Sequence, residues 1–244
     1  MNNKYSLSII IPARDEEGTI SKIPLLIPKM GKWMEIIFIE GYSKDKTWEE
    51  IQKQIKEDKR VRAFKQEKKK GKAGAVEVGF EHAKGDIVMI LDSDLSVSPR
   101  ELPKFYRALA SDKADFANGS RFVYPKEKGA MRYFNHLGNR FFALIFSLIL
   151  RQKITDTLCG TKAFFRNDYG NILNATNDIR KDDPYGDFTL LLGAGKLGLK
   201  VAEVPVNYKA RTYGESKISP FWDGIKLIIL LAKDFINYLT FIFS

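Results

Sequence analysis

The sequence predicts an α/β fold built on a mostly parallel sheet, and three observations predict it. Short apolar runs at Leu7–Ile11, Glu35–Ile39 and Ile87–Leu91 alternate with helix-like segments at Thr19–Met30 and Lys46–Lys59. The connections are too long for hairpins and suit parallel crossovers. Each run also ends in a polar, mostly acidic stretch, which sets three loops on one edge of the sheet, the edge where open α/β sheets bind ligands.

The first strand ends in Pro12-Ala13-Arg14-Asp15-Glu16-Glu17, whose carboxylates suit the N-terminal dipole of the helix that follows. The second ends in Glu40-Gly41-Tyr42-Ser43-Lys44-Asp45-Lys46-Thr47. Next comes a basic, small-residue loop, Lys68 to Ala75, that opens a helix to about Ala83; it reads either as an anion-facing loop or as a solvated basic turn. It lacks the Gly-Lys-Ser/Thr ending of a Walker loop.

The third run, Ile87-Val88-Met89-Ile90-Leu91, is too short for a helix and reads as a strand buried on both faces. It delivers Asp92 and Asp94 at its C-terminal end. Spaced i, i+2, they face one side in a regular strand, and a bend just beyond lets them share a hard cation. An Asp-rich turn without metal is the plainer alternative. Pro99 starts a helix to about Ser111, and Ala114–Asn118 reads as another strand, ending in Gly119-Ser120-Arg121.

Phe141–Leu150, within a segment at about 132–150, is apolar and flanked by Arg132, Arg140, Arg151 and Lys153. As a helix its ten residues span about 15 Å, half of a bilayer core, so the reading is either an interfacial helix or a core helix. Between Phe221 and Phe243, Ile225, Ile228, Ile229, Ala232, Ile236, Leu239 and Phe243 share one helical face, opposite Asp223, Lys226, Lys233 and Asp234. With no linker or repeat in sight, residues 1–220 read as one domain and 221–244 as an amphipathic membrane-associated helix.

Forty basic against thirty acidic residues give a net charge of +10, which favours an anionic partner. Two greasy helices and the absence of a helix-turn-helix or aromatic–basic motif favour an anionic membrane surface over nucleic acid. One cysteine, Cys159, and two histidines exclude an internal disulfide and a zinc cluster, so any metal must be oxygen-bound. The N-terminus enters a strand without a signal-peptide pattern, and the expected location is the cytoplasmic face of a membrane, peripheral or monotopic.

The ordered set Pro12-x-x-Asp15-Glu16, Ser43-x-Asp45-x-Thr47, Gly71-Lys72-Ala73-Gly74-Ala75, Asp92-Ser93-Asp94-Leu95 and Gly119-Ser120-Arg121 resembles the nucleotide-sugar half of family 2 glycosyltransferases with the GT-A fold. Asp156 to Phe164 and Arg211 to Lys217 resemble the polyprenyl-phosphate branch of that family, the dolichyl-phosphate mannose synthase type. The resemblance implies transfer, with inversion, of a sugar from a nucleotide sugar, GDP-mannose favoured, to a polyprenyl or dolichyl phosphate. It implies Mg²⁺ or Mn²⁺ at Asp92 and Asp94. It assigns donor contacts to Pro12, Arg14, Glu16, Glu40, Ser43, Lys72, Asp92, Arg211 and Lys217, and the acceptor phosphate to Arg121 and Arg132. Asp94, Arg211 and Asp187 take the catalytic roles, and Asp156 lies near the sugar and acceptor.

Two departures bear on the donor. Glu40-Gly41 stands where relatives carry a second carboxylate that contacts the base, and Ser96 stands where the mannose synthases carry glutamine. UDP-glucose as donor, a hydroxyl acceptor with Asp187 as base, and a non-catalytic nucleotide-sugar-binding membrane protein are the alternatives.

Overall fold

The computed structural model describes residues 3–68, 71–125, 133–183, 185–214 and 224–233; Arg132 and Lys217 lie outside them. In chain order, strand β1 (Leu7–Ala13) leads to two one-turn helices, α1 (Glu17–Ile20) and α2 (Ile23–Leu26). Then follow β2 (Met34–Glu40), α3 (Thr47–Glu57), β3 (Val61–Lys65), α4 (Gly71–His82) and β4 (Ile87–Ile90). A 3-10 turn at Pro99–Glu101 precedes α5 (Leu102–Ala110), β5 (Phe116–Ser120) and α6 (Tyr133–Leu150). Strand β6 (Lys162–Phe165), α7 (Tyr169–Ala175), α8 (Asp187–Lys196) and β7 (Val201–Pro205) complete the sheet region, and residues 224–233 form α9.

The strands make one seven-stranded sheet in the order β3-β2-β1-β4-β6-β5-β7. Neighbours from β3 to β4 are parallel, as are β5 and β7, and β6 is antiparallel to both of its neighbours. The α/β expectation is met. The predicted helix over Thr19–Met30 is not: it is broken into α1 and α2 and stops at Leu26, with Ile27 extended. Pro28 excludes the helical region for the residue before it.

Both faces of the central strands are buried. Ile9, Ile11, Phe38 and Met89 face one core with Phe105 and Leu102 of α5, while Ile10, Ile37, Ile39 and Val88 turn to the other side, against α4. Each fully buried aliphatic side chain contributes about 1.5–3 kcal/mol. A third cluster joins α6, α7, α8 and α9 through Phe142, Phe146, Ile172, Phe188, Leu191 and Leu230. The parallel half therefore holds its strand ends rigidly at one edge, and the α6–α9 layer stands beside that edge.

Candidate active site

The loops after β1 and β2 are braced to each other by their own side chains. Asp15 and Tyr42 adopt positive φ, at 52° and 63°. The Asp15 amide donates to Ser43 Oγ at 3.0 Å, the Lys44 amide to Asp15 Oδ1 at 2.7 Å, and the Glu16 amide to Thr47 Oγ1 at 2.8 Å. Glu40 turns into its own loop, where Oε1 accepts from the Ser43 amide at 2.5 Å. Arg14 Nε lies 3.5 Å from Asp15 Oδ2, and the Pro12 carbonyl accepts from Ser93 Oγ at 2.8 Å. The third loop is thereby tied to the first.

Beyond β4 the chain bends at Leu95, which has φ 59°. Each member of the acidic pair meets a different cation. Asp92 Oδ1 lies 2.7 Å from Lys72 Nζ, which also approaches Asp187 Oδ2 at 3.6 Å. Burial pushes the Asp92 carboxyl up, but the Lys72 ammonium more than offsets this and holds it below the usual carboxylate range. Burial likewise pulls Lys72 down while Asp187 and Asp92 pull it up, with a net rise, so it stays charged. Asp94 Oδ1 accepts from the Ser96 amide at 2.9 Å, and Asp94 Oδ2 lies 3.1 Å from Arg211 Nη2. The other arm of Arg211 reaches Glu16 Oε1 at 2.9 Å.

Lys72 is placed by α4, whose start is pinned where Gln66 Nε2 donates to the Gly71 carbonyl at 2.8 Å. Asp187 is placed by the first turn of α8, which Asp183 caps by accepting from the amides of Gly186 and Thr189 at 3.0 and 2.8 Å. A pocket opens beside this pair, with Val76, Tyr169, Arg180 and Tyr185 among its walls.

Among the described residues, no group of three or more His, Cys, Asp or Glu side chains forms a metal cage. The donor set nevertheless fits Mg²⁺ or Mn²⁺, which bind through one or two carboxylates and complete their shell with substrate phosphates and water. Each carboxylate already meets one cation, Asp92 with Lys72 and Asp94 with Arg211, so a metal held there would share them with those side chains. Cys159 is buried, and burial pushes its thiol up to about 11.

Arg121 forms a two-pronged pair with Asp156, Nε to Oδ2 at 2.6 Å and Nη2 to Oδ1 at 2.8 Å, and its guanidinium lies 5.1 Å from the Tyr208 ring centroid. Its planar fork thus answers a buried carboxylate. Burial would raise Asp156, and Arg121 holds it below the ordinary range.

Three residues to which sequence reasoning gave no role shape the site. Lys162, at the start of β6, lies 3.2 Å from Asp187 Oδ1. Gly160 brings its backbone against the Asp92–Lys72 pair, where a Cβ would collide with both side chains. Asn139 on α6 accepts from the Thr157 amide at 3.0 Å and donates to the Thr155 carbonyl at 3.3 Å, tying α6 to the loop that carries Asp156 and Gly160. The sequence signals were an Asn within an apolar helix and a lysine heading an apolar run.

The chain after β7 folds back over the crevice. Lys209 donates its amide to the Ser96 carbonyl at 2.9 Å, Arg211 bridges Glu16 and Asp94, and the Tyr213 ring covers Gly18 with its hydroxyl 3.0 Å from Glu17 Oε1. On α6, Phe141, Leu144 and Leu148 are exposed, and on α9 so are Ile225, Ile228 and Ile229. The buried side of α9 is Leu227, Leu230 and Leu231, residues left out of the expected apolar face. No helix among the described residues is long and apolar enough to cross a membrane.

Comparison with known proteins places this geometry. A profile of Glycosyl transferase family 2 matches residues 8–173. The chain is 27% identical over 224 residues to Glycosyltransferase AglD of Haloferax volcanii, covering 87% of this chain and 34% of that protein. It is 29% identical over 223 residues to a Dolichol-phosphate mannosyltransferase of Pyrococcus furiosus, covering 87% of this chain and 59% of that protein. It therefore spans about a third of the first relative and less than two thirds of the second. An Undecaprenyl-phosphate 4-deoxy-4-formamido-L-arabinose transferase of Edwardsiella ictaluri is 26% identical over 242 residues, with 96% of this chain and 68% of that protein covered. Among solved structures, glucosyl-3-phosphoglycerate synthase from Mycobacterium tuberculosis, in complex with Mn²⁺, UDP and glucosyl-3-phosphoglycerate, superposes with a TM-score of 0.64 at 19% identity, covering 94% of this chain and 78% of that one. That likeness is one of fold, and it agrees with the expected GT-A architecture.

Proposed function

The chain belongs to glycosyl transferase family 2, and from that membership we propose that it moves a sugar from a nucleotide sugar to a polyprenyl or dolichyl phosphate at an anionic membrane surface. The observation that carries the reading is the convergence of Glu16, Asp92, Asp94 and Arg211 on one sheet edge, from three separate loops, with exposed apolar helices in the same molecule. The names of two relatives, a dolichol-phosphate and an undecaprenyl-phosphate transferase, support the acceptor class. GDP-mannose is the favoured donor, and UDP-glucose the second.

In this reading the loops around Pro12, Arg14, Glu40 and Ser43 seat the nucleotide, and Lys72 and Asp92 orient the donor. Arg211, already at the crevice, puts positive charge beside the departing nucleoside diphosphate. Mg²⁺ or Mn²⁺, held by Asp94 with Asp92 beside it, would act as Lewis acid toward that same group. The acceptor phosphate is ionised at neutral pH, so its oxygen attacks the anomeric carbon without a base. A new carbon–oxygen bond forms as the bond to the diphosphate breaks from the opposite face, and the configuration inverts. Arg121 and Arg132 are the acceptor-side cations of the proposal, with Arg121 shared between Asp156 and the phosphate.

The test supplies purified protein with radiolabelled GDP-mannose or UDP-glucose and a polyprenyl phosphate in vesicles, with and without EDTA. The expected product is a mild-acid-labile glycolipid whose formation stops with EDTA. Asp94→Ala should form it about 100-fold more slowly, the scale of losing a principal electrostatic stabiliser. No labelled lipid from either donor would sink the proposal.

A further inference from the structure

Lys162 is 0% exposed, a rare state for a lysine, and it survives there only with partners. Its Nζ donates to the Cys159 carbonyl at 2.5 Å and lies 3.2 Å from Asp187 Oδ1. The other Asp187 oxygen faces Lys72 at 3.6 Å, and Lys72 in turn holds Asp92 at 2.7 Å. Lys162, Asp187, Lys72 and Asp92 thus form a line of alternating charge running from inside the sheet to the crevice.

The backbone of Lys162 is held on both sides. It pairs with Ile90 of β4, two residues before Asp92, and with Asn118 of β5. Within a sheet so anchored, its ammonium is a fixed point against which Asp187 is set. Buried ion pairs are weak sources of stability, and apolar replacements of similar volume are often tolerated when no charge is stranded. A lysine in this place is therefore better explained by what it aligns than by what it stabilises.

We propose that Lys162 is a positioning residue for sugar transfer: from the antiparallel strand it fixes the Asp187 carboxylate with an ammonium on each oxygen, so that Asp187 orients the donor and is not a proton acceptor. The acceptor must then arrive with its own negative oxygen, as a phosphate does and an alcohol does not. This rests on the glycosyltransferase reading above. Without Lys162, Asp187 keeps only Lys72, at more than hydrogen-bond distance, and the two settle closer together. Lys72 then shifts away from Asp92, and the donor seat moves with it.

The test uses the full chain, the donor that the wild type turns over, and a polyprenyl phosphate or the corresponding free polyprenol. Lys162→Met, which leaves the buried Asp187 carboxylate with Lys72 alone, should melt below the wild type yet stay folded at the assay temperature. Per folded molecule it should change the donor KM little while kcat falls about 100-fold, the loss expected from misplacing reacting groups by about 1 Å. Lys162→Arg, which restores a cation, should recover much of the kcat. The wild type should leave the free alcohol unglycosylated. Three results would overturn the inference: wild-type kcat in Lys162→Met, a fall in kcat that merely tracks loss of folded protein and that arginine does not reverse, or sugar transfer to the alcohol. A wild type idle with every donor instead removes the underlying function, and this inference with it.

Discussion

At the scale of single residues, the site depends on how closely backbone and charge approach each other. Gly160 is the clearest case, because any side chain there would push into Asp92 Oδ2 and Lys72 Nζ. The obstructing atoms, Asp92 Oδ2 and Cγ and Lys72 Nζ, all belong to side chains, so Gly160→Ala should be absorbed by their rotation with the fold kept. The rotation parts the ion pair, and turnover should fall by about 100-fold. Kinetics beside a thermal melt would check this, and unchanged turnover would remove the Asp92–Lys72 contact from the mechanism. Asp92 and Asp94 could be read from the sequence because they follow an apolar run too short to be anything but a strand. Lys162 could not: a lysine heading Lys162-Ala163-Phe164-Phe165 looks like a strand's solvated first residue, and its partner Asp187 lies on another element. The engagement of Arg121 by Asp156 was hidden for the same reason, since a long-range ion pair leaves no local pattern.

At the scale of elements, β1, β2 and β4 were legible because their runs are short and dominated by apolar residues, whereas β5, with only two apolar residues, was read two residues early, at Ala114–Asn118 instead of Phe116–Ser120. Strand β3, Val61-Arg62-Ala63-Phe64-Lys65, went unread because it lies at the edge of the sheet, where basic residues are tolerated. Strand β6, Lys162-Ala163-Phe164-Phe165, went unread because it opens on a lysine and shows no alternation, being buried at three successive positions. The α6 helix has two distinct sides. Phe146 is 0% exposed, whereas Leu144 and Leu148 are 62% and 71% exposed. Phe146→Ala should therefore destabilise the fold by about 3–5 kcal/mol, while the double variant Leu144→Glu/Leu148→Glu should leave the melt nearly unchanged. If the exposed stripe touches lipid, the double variant should sediment less with anionic vesicles. Unchanged sedimentation would exclude α6 from the contact. Asn139 joins this helix to the loop bearing Asp156 and Gly160, so a helix resting on a membrane would hold that loop directly above it.

At the scale of the whole molecule, the proposed membrane contact would draw on two forces that can be told apart. The net charge of +10 would draw the protein toward anionic lipid, and Arg140, Arg151, Lys153 and Lys226 are exposed on or next to the apolar helices α6 and α9. That attraction is screened by salt, since the Debye length shrinks from about 10 Å at 0.1 M to about 3 Å at 1 M. Phe141, Leu144, Leu148, Ile228 and Ile229 are exposed, and their burial in an interface would not be screened, each buried apolar side chain adding about 1.5–3 kcal/mol whatever the salt. Vesicle binding should therefore weaken between 0.1 M and 1 M salt without disappearing, and the triple variant Ile225→Glu/Ile228→Glu/Ile229→Glu, which spares the packed Leu227, Leu230 and Leu231, should be far more salt-sensitive. Binding that vanishes at 1 M salt in the intact chain would assign the attachment to charge alone. Binding indifferent to salt would assign it to the helices, and would leave the basic surface to the phosphates of the substrates.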